Sequence, residues 1–269
     1  MNVLADTHCH LNLNLFQSDL PEVLERARQN GVKHILVPGI DVTTSHSAIQ
    51  LCKQYPNLSA AIGVHPNEAL TWSEESLSEL VALADSPHVV AIGEIGLDYY
   101  RDFAPAALQK DILFRQLAFA AQIRKPVIIH SRNALADLWQ ILFSWHDGLA
   151  KNHSPLAEHP GVLHSYDGDL VTARQAIELG FMIGVSGPVT FKNAQERQNL
   201  VSQLPLESIL IETDAPYLTP HPFRGRRNEP GHVLLVAEKI ALLHNRPVSE
   251  IAAITTRNAN RIFGWRPSD

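Results

Sequence analysis

A two-part phrase repeated eight times constrains this chain more than anything else in it. A short apolar run ends in glycine, proline, histidine or an acid, and a stretch of helical period follows. The runs are VLADTH (3–8), HILVPGI (34–40), LSAAIGVHP (58–66), HVVAIGEIGLD (88–98), PVIIHSR (126–132), GVLHSY (161–166), GFMIGVSG (180–187) and SILIETDAP (208–216). Near-continuous apolar character over so few residues marks strands covered on both faces, which are parallel strands flanked by helices. Helical patterning falls near 18–30, 43–55, 73–85, 105–124, 133–146, 169–179, 193–203 and 231–245, with a ninth helix near 248–262. Start signals support it: Asp19 with Pro21, Ser73 before Glu74 and Glu75, and Asp169.

Eight strands alternating with helices predict an α/β fold, a (β/α)8 TIM barrel, whose usual length is about 250 residues. The chain has 269, and no Pro-, Gly- or Ser-rich linker and no block of like charge divides it, so 1–269 reads as a single barrel domain. An open doubly wound sheet is the structural rival. Its nucleotide-binding form loses its best sign, because no glycine-rich phosphate loop follows the first strand.

Polar, metal-capable residues stand at the C-terminal ends of the runs: His8 and His10, His65, Glu94, His130, His164 and Asp214. In a barrel those ends share one mouth, where active sites of this architecture lie. His8 and His10 are at i and i+2, so an extended backbone points both to one face. Glu94 and His130 are 36 residues apart and His130 and His164 are 34 apart, one strand–helix unit each. A lone strand-end histidine is most often a hydrogen-bonding structural residue. Glu94 is the stronger sign, because a carboxylate inside an apolar strand costs several kcal/mol unless it is paired or bound to a cation. Its bland reading is a salt bridge to Arg132, and that of Asp214, before Ala-Pro, is a turn.

Four histidines with two acids suit two divalent ions, and the donor types admit Zn²⁺, Mn²⁺ or Mg²⁺. Glu94 has the two oxygens that a bridge needs, and Asp214 is the candidate acid to orient a water and take its proton. His65, Arg132 and the loop PHPFRGRRNEPGH, with Arg224, Arg226 and Arg227, are candidate contacts for a phosphate-bearing substrate. Solvation or structural ion pairing is the alternative for that loop.

A net charge of −6 argues against a broad basic surface that coats long duplexes. Two cysteines, Cys9 and Cys52, are poor material for a disulfide framework. With no membrane-length apolar stretch and no signal-peptide pattern, the expected compartment is the cytoplasm. No obligate protein partner is evident.

The motifs DTHCHLN, AAIGVHPNEA, AIGEIGLDYY, FRQLA (114–118), KPVIIHSR, GVLHSYDGD, FMIGVSGPVTFKNA, ILIETDAPYLTP, FRGRRNEPGHV and TTRNANRIFG, in this order, resemble those of TatD-type metal-dependent deoxyribonucleases of the amidohydrolase superfamily. The resemblance runs from about residue 3 to 265. It implies a two-metal barrel that hydrolyses phosphodiesters, often as a 3′-to-5′ exonuclease on DNA ends. It makes His8, His10 and Asp214 ligands of one ion, Glu94 the bridge, and His130 and His164 ligands of the other. It places His65 against the substrate phosphate. Strand four carries Glu94 and no lysine, so the bridge is not the carboxylated lysine of some relatives. Tyr166 stands where the family commonly has phenylalanine. A D-aminoacyl-tRNA ester, another small phosphoester or an amide are the alternative substrates of such a site, and a non-enzymatic binding protein is disfavoured because neither the bridge nor the strand-eight acid is missing.

Overall fold

The computed structural model describes residues 2–265. The apolar runs form β1 (Leu4–Asp6), β2 (Val32–Pro38), β3 (Leu58–Ile62), β4 (Val89–Asp98), β5 (Val127–Arg132), β6 (Gly161–Leu163), β7 (Met182–Val185) and β8 (Ile209–Ile211), which follow one another in chain order in one sheet. The helices are α1 (Leu20–Gln29), α2 (Val42–Gln54), α3 (Glu74–Ala84), α4 (Ala106–Ile123), α5 (Leu135–Lys151), α6 (Leu170–Glu178), α7 (Gln195–Val201), α8 (Val233–His244) and α9 (Val248–Phe263). This is the (β/α)8 barrel that the alternation predicts. Among the described residues no helix is long and apolar enough to cross a membrane.

Two compact units make up the chain, one formed by the residues up to Val37 and from Ile183 onward, the other by Pro38–Met182. In the first, β1 pairs in parallel with β2, and β7 with β8 through Ile183↔Ile209 and Val185↔Ile211. Beyond β1 the chain stays tied to β8: Thr7 N–H donates to the Ile211 carbonyl at 3.1 Å, and both Thr213 donors reach the Asp6 carboxylate, at 2.9 and 2.6 Å. α9 turns Ile251, Thr255, Ala259 and Ile262 inward, at helical spacing, and they are buried. Its Asn258 side chain donates to the Leu206 and Ile209 carbonyls, at 2.8 and 2.9 Å, and so ties α9 to the start of β8.

In the second unit β4 is the longest strand and it is bulged. Ile92 faces Val127 and Ile95 faces Ile129, so β4 spends one extra residue at Gly93–Glu94. A bulge of this kind re-aims a side chain next to a functional site. Two glycines let it pack: a Cβ on Gly93 would lie 2.6 Å from the Ile128 Cβ, and Gly96, at φ +150°, would drive one into the His130 carbonyl oxygen. Two buried glutamines seven residues apart on one face of α4 then clamp the strand ends. Gln116 exchanges both amide hydrogen bonds with the Val64 backbone, at 2.7 and 2.9 Å, and Gln109 does the same with Asp98, at 2.9 and 3.0 Å.

The cap signals resolve differently. Ser73 and Ser76 form a reciprocal capping box on α3, and Asp169 accepts from Thr172 N–H at the start of α6. Asp19 precedes α1 but makes no cap, because its carboxylate is taken by Arg227. α5 continues to Lys151 rather than ending near 146, because Leu149 prolongs the buried face of Leu138, Ile141 and Leu142 across Gly148.

Replacing Gly96 by Ala is expected to lower stability by more than about 1 kcal/mol, some 2–4 °C in Tm for a chain of this size, because the methyl group meets backbone rather than a movable side chain. Calorimetric melting at or above the parent temperature would refute the close β4–β5 approach.

Candidate metal centre

The bulge in β4 aims Glu94 into a cluster of imidazoles in the second unit. Glu94 is 4 % exposed, and its Oε1 lies 3.1 Å from His130 Nδ1, 3.8 Å from His65 Nε2 and 3.9 Å from His164 Nε2. His130 lies in β5, His164 directly follows β6, and His65 follows β3 at the start of a short 3₁₀ turn, Pro66–Thr71. Each sits at the C-terminal end of its strand or just beyond it.

The two ring nitrogens of His130 face two different acids. Nδ1 faces Glu94, and Nε2 faces Asp98 Oδ2 at 3.1 Å. The other oxygen of Asp98 accepts the backbone N–H groups of Tyr100 and Arg101, each at 3.0 Å. Burial opposes the charged form of Asp98, but the bonds from His130, Arg101 and Tyr100 outweigh it and pull the carboxyl down to about 2. Burial likewise opposes the imidazolium of His130, yet the hydrogen bonds to Asp98 and Glu94 push it up to about 9. Asp98 is therefore an ionised acceptor that orders both the ring and the loop beyond β4. In sequence Asp98 shows only as an acid four residues beyond Glu94 in one apolar strand, with no sign that it meets His130.

His65 is held differently. Its Nδ1 accepts the Asn67 N–H at 3.0 Å, so in the neutral ring Nε2 carries the hydrogen. His65 is thus a donor, whereas a metal ligand must present a lone pair.

In the first unit, His8 and His10 project from the segment after β1 and meet Asp214, three residues beyond β8. His8 Nε2 and His10 Nε2 are 3.2 Å apart, and Asp214 Oδ1 is 3.8 Å from the first and 3.5 Å from the second. The backbone fixes this triangle: Asp214 N–H donates to the His8 carbonyl at 2.8 Å, and His10 N–H to the Ala215 carbonyl at 2.7 Å. Asp214 has φ +57°, a left-handed conformation that a non-glycine residue keeps only when its surroundings hold it there.

Both donor sets fit a divalent cation by their chemistry and spacing. Ligands 2.0–2.2 Å from a tetrahedral ion stand about 3.4 Å from one another. The edges of the His8–His10–Asp214 triangle, 3.2, 3.5 and 3.8 Å, and the 3.1 Å His130–Glu94 edge scatter around that length.

The arginines are placed unequally. The Arg132 guanidinium lies over the Tyr100 ring, 3.7 Å from its centroid, and Arg224 lies over Phe191 at 4.0 Å. Arg226 is exposed. Arg227 is bound to Asp19 at 2.6 and 2.8 Å, to Glu229 at 3.1 Å and to the Leu15 carbonyl at 2.7 Å, the structural ion pairing that was the alternative reading of the loop. Asp19, about two hundred positions away in sequence, is a partner that no local pattern discloses.

The chain is similar to known proteins over nearly its whole length. A sequence profile described as TatD related DNase matches residues 5–264. A metal-dependent hydrolase of Bacillus subtilis, YabD, is 43 % identical over 261 residues, which are 97 % of this chain and 99 % of that protein. The 3′-5′ ssDNA/RNA exonuclease TatD of Edwardsiella piscicida is 36 % identical, covering 97 % and 99 %. Among solved structures, the TatD homologue YjjV of Escherichia coli K12 superposes with a TM-score of 0.89 at 33 % identity, covering 98 % of each chain.

Asp98→Asn is expected to weaken divalent-metal binding about 10- to 100-fold while the fold is kept. Asparagine has one accepting oxygen, whereas Asp98 accepts through both, so either the His130 ring or the two loop N–H groups lose their partner. Competition against a chromophoric chelator reads the change; an unaltered affinity would remove Asp98 from this role.

Proposed function

The chain belongs to the TatD-related DNase family of metal-dependent hydrolases, and we propose that its reaction is the hydrolysis of phosphodiester bonds at the ends of nucleic acid strands. The observation that carries this reading is the Glu94 carboxylate, 4 % exposed and approached by three imidazoles through one oxygen. A buried carboxylate met by three imidazoles is a setting in which a divalent cation can replace imidazole protons as the opposing charge.

His8, His10 and Asp214 would be the donors for one divalent ion, and Glu94, His130 and His164 the donors for a second; Zn²⁺, Mn²⁺ and Mg²⁺ all suit these donors. When bound, the ions supply Lewis-acid polarisation of the phosphoryl group and acidify an attacking water. The chain's own residues do the rest. The Asp214 oxygen not given to the ion would accept the proton of the water as it attacks phosphorus. His65 donates Nε2–H to a non-bridging phosphate oxygen, a role its Asn67-fixed tautomer favours. Arg132 and Arg226 add positive charge for the substrate, and Arg227, held between Asp19 and Glu229, shapes the loop that carries Arg226.

The overall charge of −6 supports action at ends, since the attraction is local to the site and does not grip a duplex along its length. Relatives named 3′-5′ ssDNA/RNA exonuclease support the same action at ends. Cys9 and Cys52, both buried and unbonded, suit the cytoplasm.

Asp214→Asn is expected to lower turnover at least ~10²-fold, because an amide offers a metal one oxygen but cannot take a proton. Near-parental turnover with normal metal content would remove Asp214 as the base. With end-labelled linear single strands and metal-reconstituted enzyme, the product ladder should shorten stepwise, while covalently closed circles stay intact. Efficient cutting of circles would overturn the end-directed reading, and turnover confined to aminoacyl-tRNA esters or to small phosphoesters or amides would overturn the substrate.

A further inference from the structure

Just past the end of β4 the chain exposes two aromatic rings beside two arginines. Tyr100 is 57 % exposed and Phe103 is 54 % exposed, while Leu97 and Ala104 on either side are buried. Arg101 lies 5.9 Å from the Tyr100 ring centroid and 5.7 Å from that of Phe103. Arg132, at the end of β5, covers one face of Tyr100 at 3.7 Å. The sheet register explains this pairing: Asp98 faces Arg132 and Gly96 faces His130, so Tyr100 and Arg132 each lie two residues beyond a residue of the metal site. Along β5, His130 and Arg132 are about 6.6 Å apart, and Tyr100 lies in the turn that folds back on Asp98. The segment is also wired to the site, because the N–H groups of Tyr100 and Arg101 end on Asp98, whose other oxygen holds His130.

We propose that Tyr100, backed by Arg132, is a stacking platform for a base at the end of a single-stranded nucleic acid, next to the place where the scissile phosphate is held. The proposal rests on the function given above and names how that site tells a nucleic acid from a bare phosphodiester. Exposed aromatic rings interleaved with guanidinium groups fit the bases and phosphates of a single strand. A docked protein fits less well: its patch buries about 800 Å² on each side, and here the exposed apolar surface is two rings separated by Arg101 and Asp102. A base in a duplex has its faces covered by its neighbours, so the platform selects unpaired or frayed ends.

The test is fluorescence anisotropy on the metal-loaded protein with two oligothymidylates, both blocked against hydrolysis by 3′-terminal phosphorothioate linkages. One carries all its bases and the other has abasic residues at its last two positions. The parent protein should bind the first roughly tenfold more tightly, the size of one stacked base. Tyr100→Ala should bring the two strands to within about twofold, and Tyr100→Phe should keep the difference. No difference in the parent protein, no binding of either strand, a difference that survives Tyr100→Ala, or an equal loss for both strands in that variant would each overturn the platform. Turnover on unblocked strands is scored separately, so a protein that discriminates bases but cleaves no oligonucleotide refutes the proposed reaction and not the platform.

Discussion

The structure depends on the cost of burying one charge. A carboxylate at 4 % exposure inside an apolar strand is stable only if its environment supplies opposing charge and hydrogen bonds. Much of the second unit serves that need. The bulge turns Glu94 toward the site, glycines at 93 and 96 bring β5 close, and His130 meets the acid at 3.1 Å. His130 must then be held in turn, and Asp98, Gln109 and the N–H groups of Tyr100 and Arg101 supply that outer layer. A ligand's second nitrogen bound to a carboxylate is a common means of fixing its tautomer and raising its basicity.

Two histidines of the same cluster are set to opposite hydrogen-bonding states by what binds their other nitrogen. An acid on His130 Nε2 leaves Nδ1 available as a lone pair once its proton is lost, whereas a backbone N–H on His65 Nδ1 leaves Nε2 a donor. Ring position alone does not separate them, since both approach Glu94 Oε1 within 4 Å. The difference lies in the turn Pro66–Thr71, whose Asn67 N–H selects the tautomer of His65.

What was legible in the sequence follows from the range over which each feature is determined. Strands and helices came through because apolar periodicity is local, and Ser73 and Asp169 marked helix starts because a cap reads only three residues ahead. His8, His10, Glu94, His130, His164 and Asp214 stood out because each is a polar group ending an apolar run. Asp98 was hidden by its own motif, where Glu94 drew the attention. Gln109 and Gln116 read as ordinary helix formers, since nothing on α4 says that a strand end needs both a donor and an acceptor. Arg227 and Asp19 meet only in the folded chain, so an N-cap candidate and a phosphate-binding candidate form an ion pair instead.

The central claim is that Glu94 is built to hold metal, and anomalous diffraction from active crystals soaked in Mn²⁺ tests it directly. The account predicts a metal peak within about 2.0–2.2 Å of a Glu94 carboxylate oxygen. A fully active crystal form whose metal lies elsewhere, with Glu94 bonded only to its neighbouring imidazoles, would contradict it.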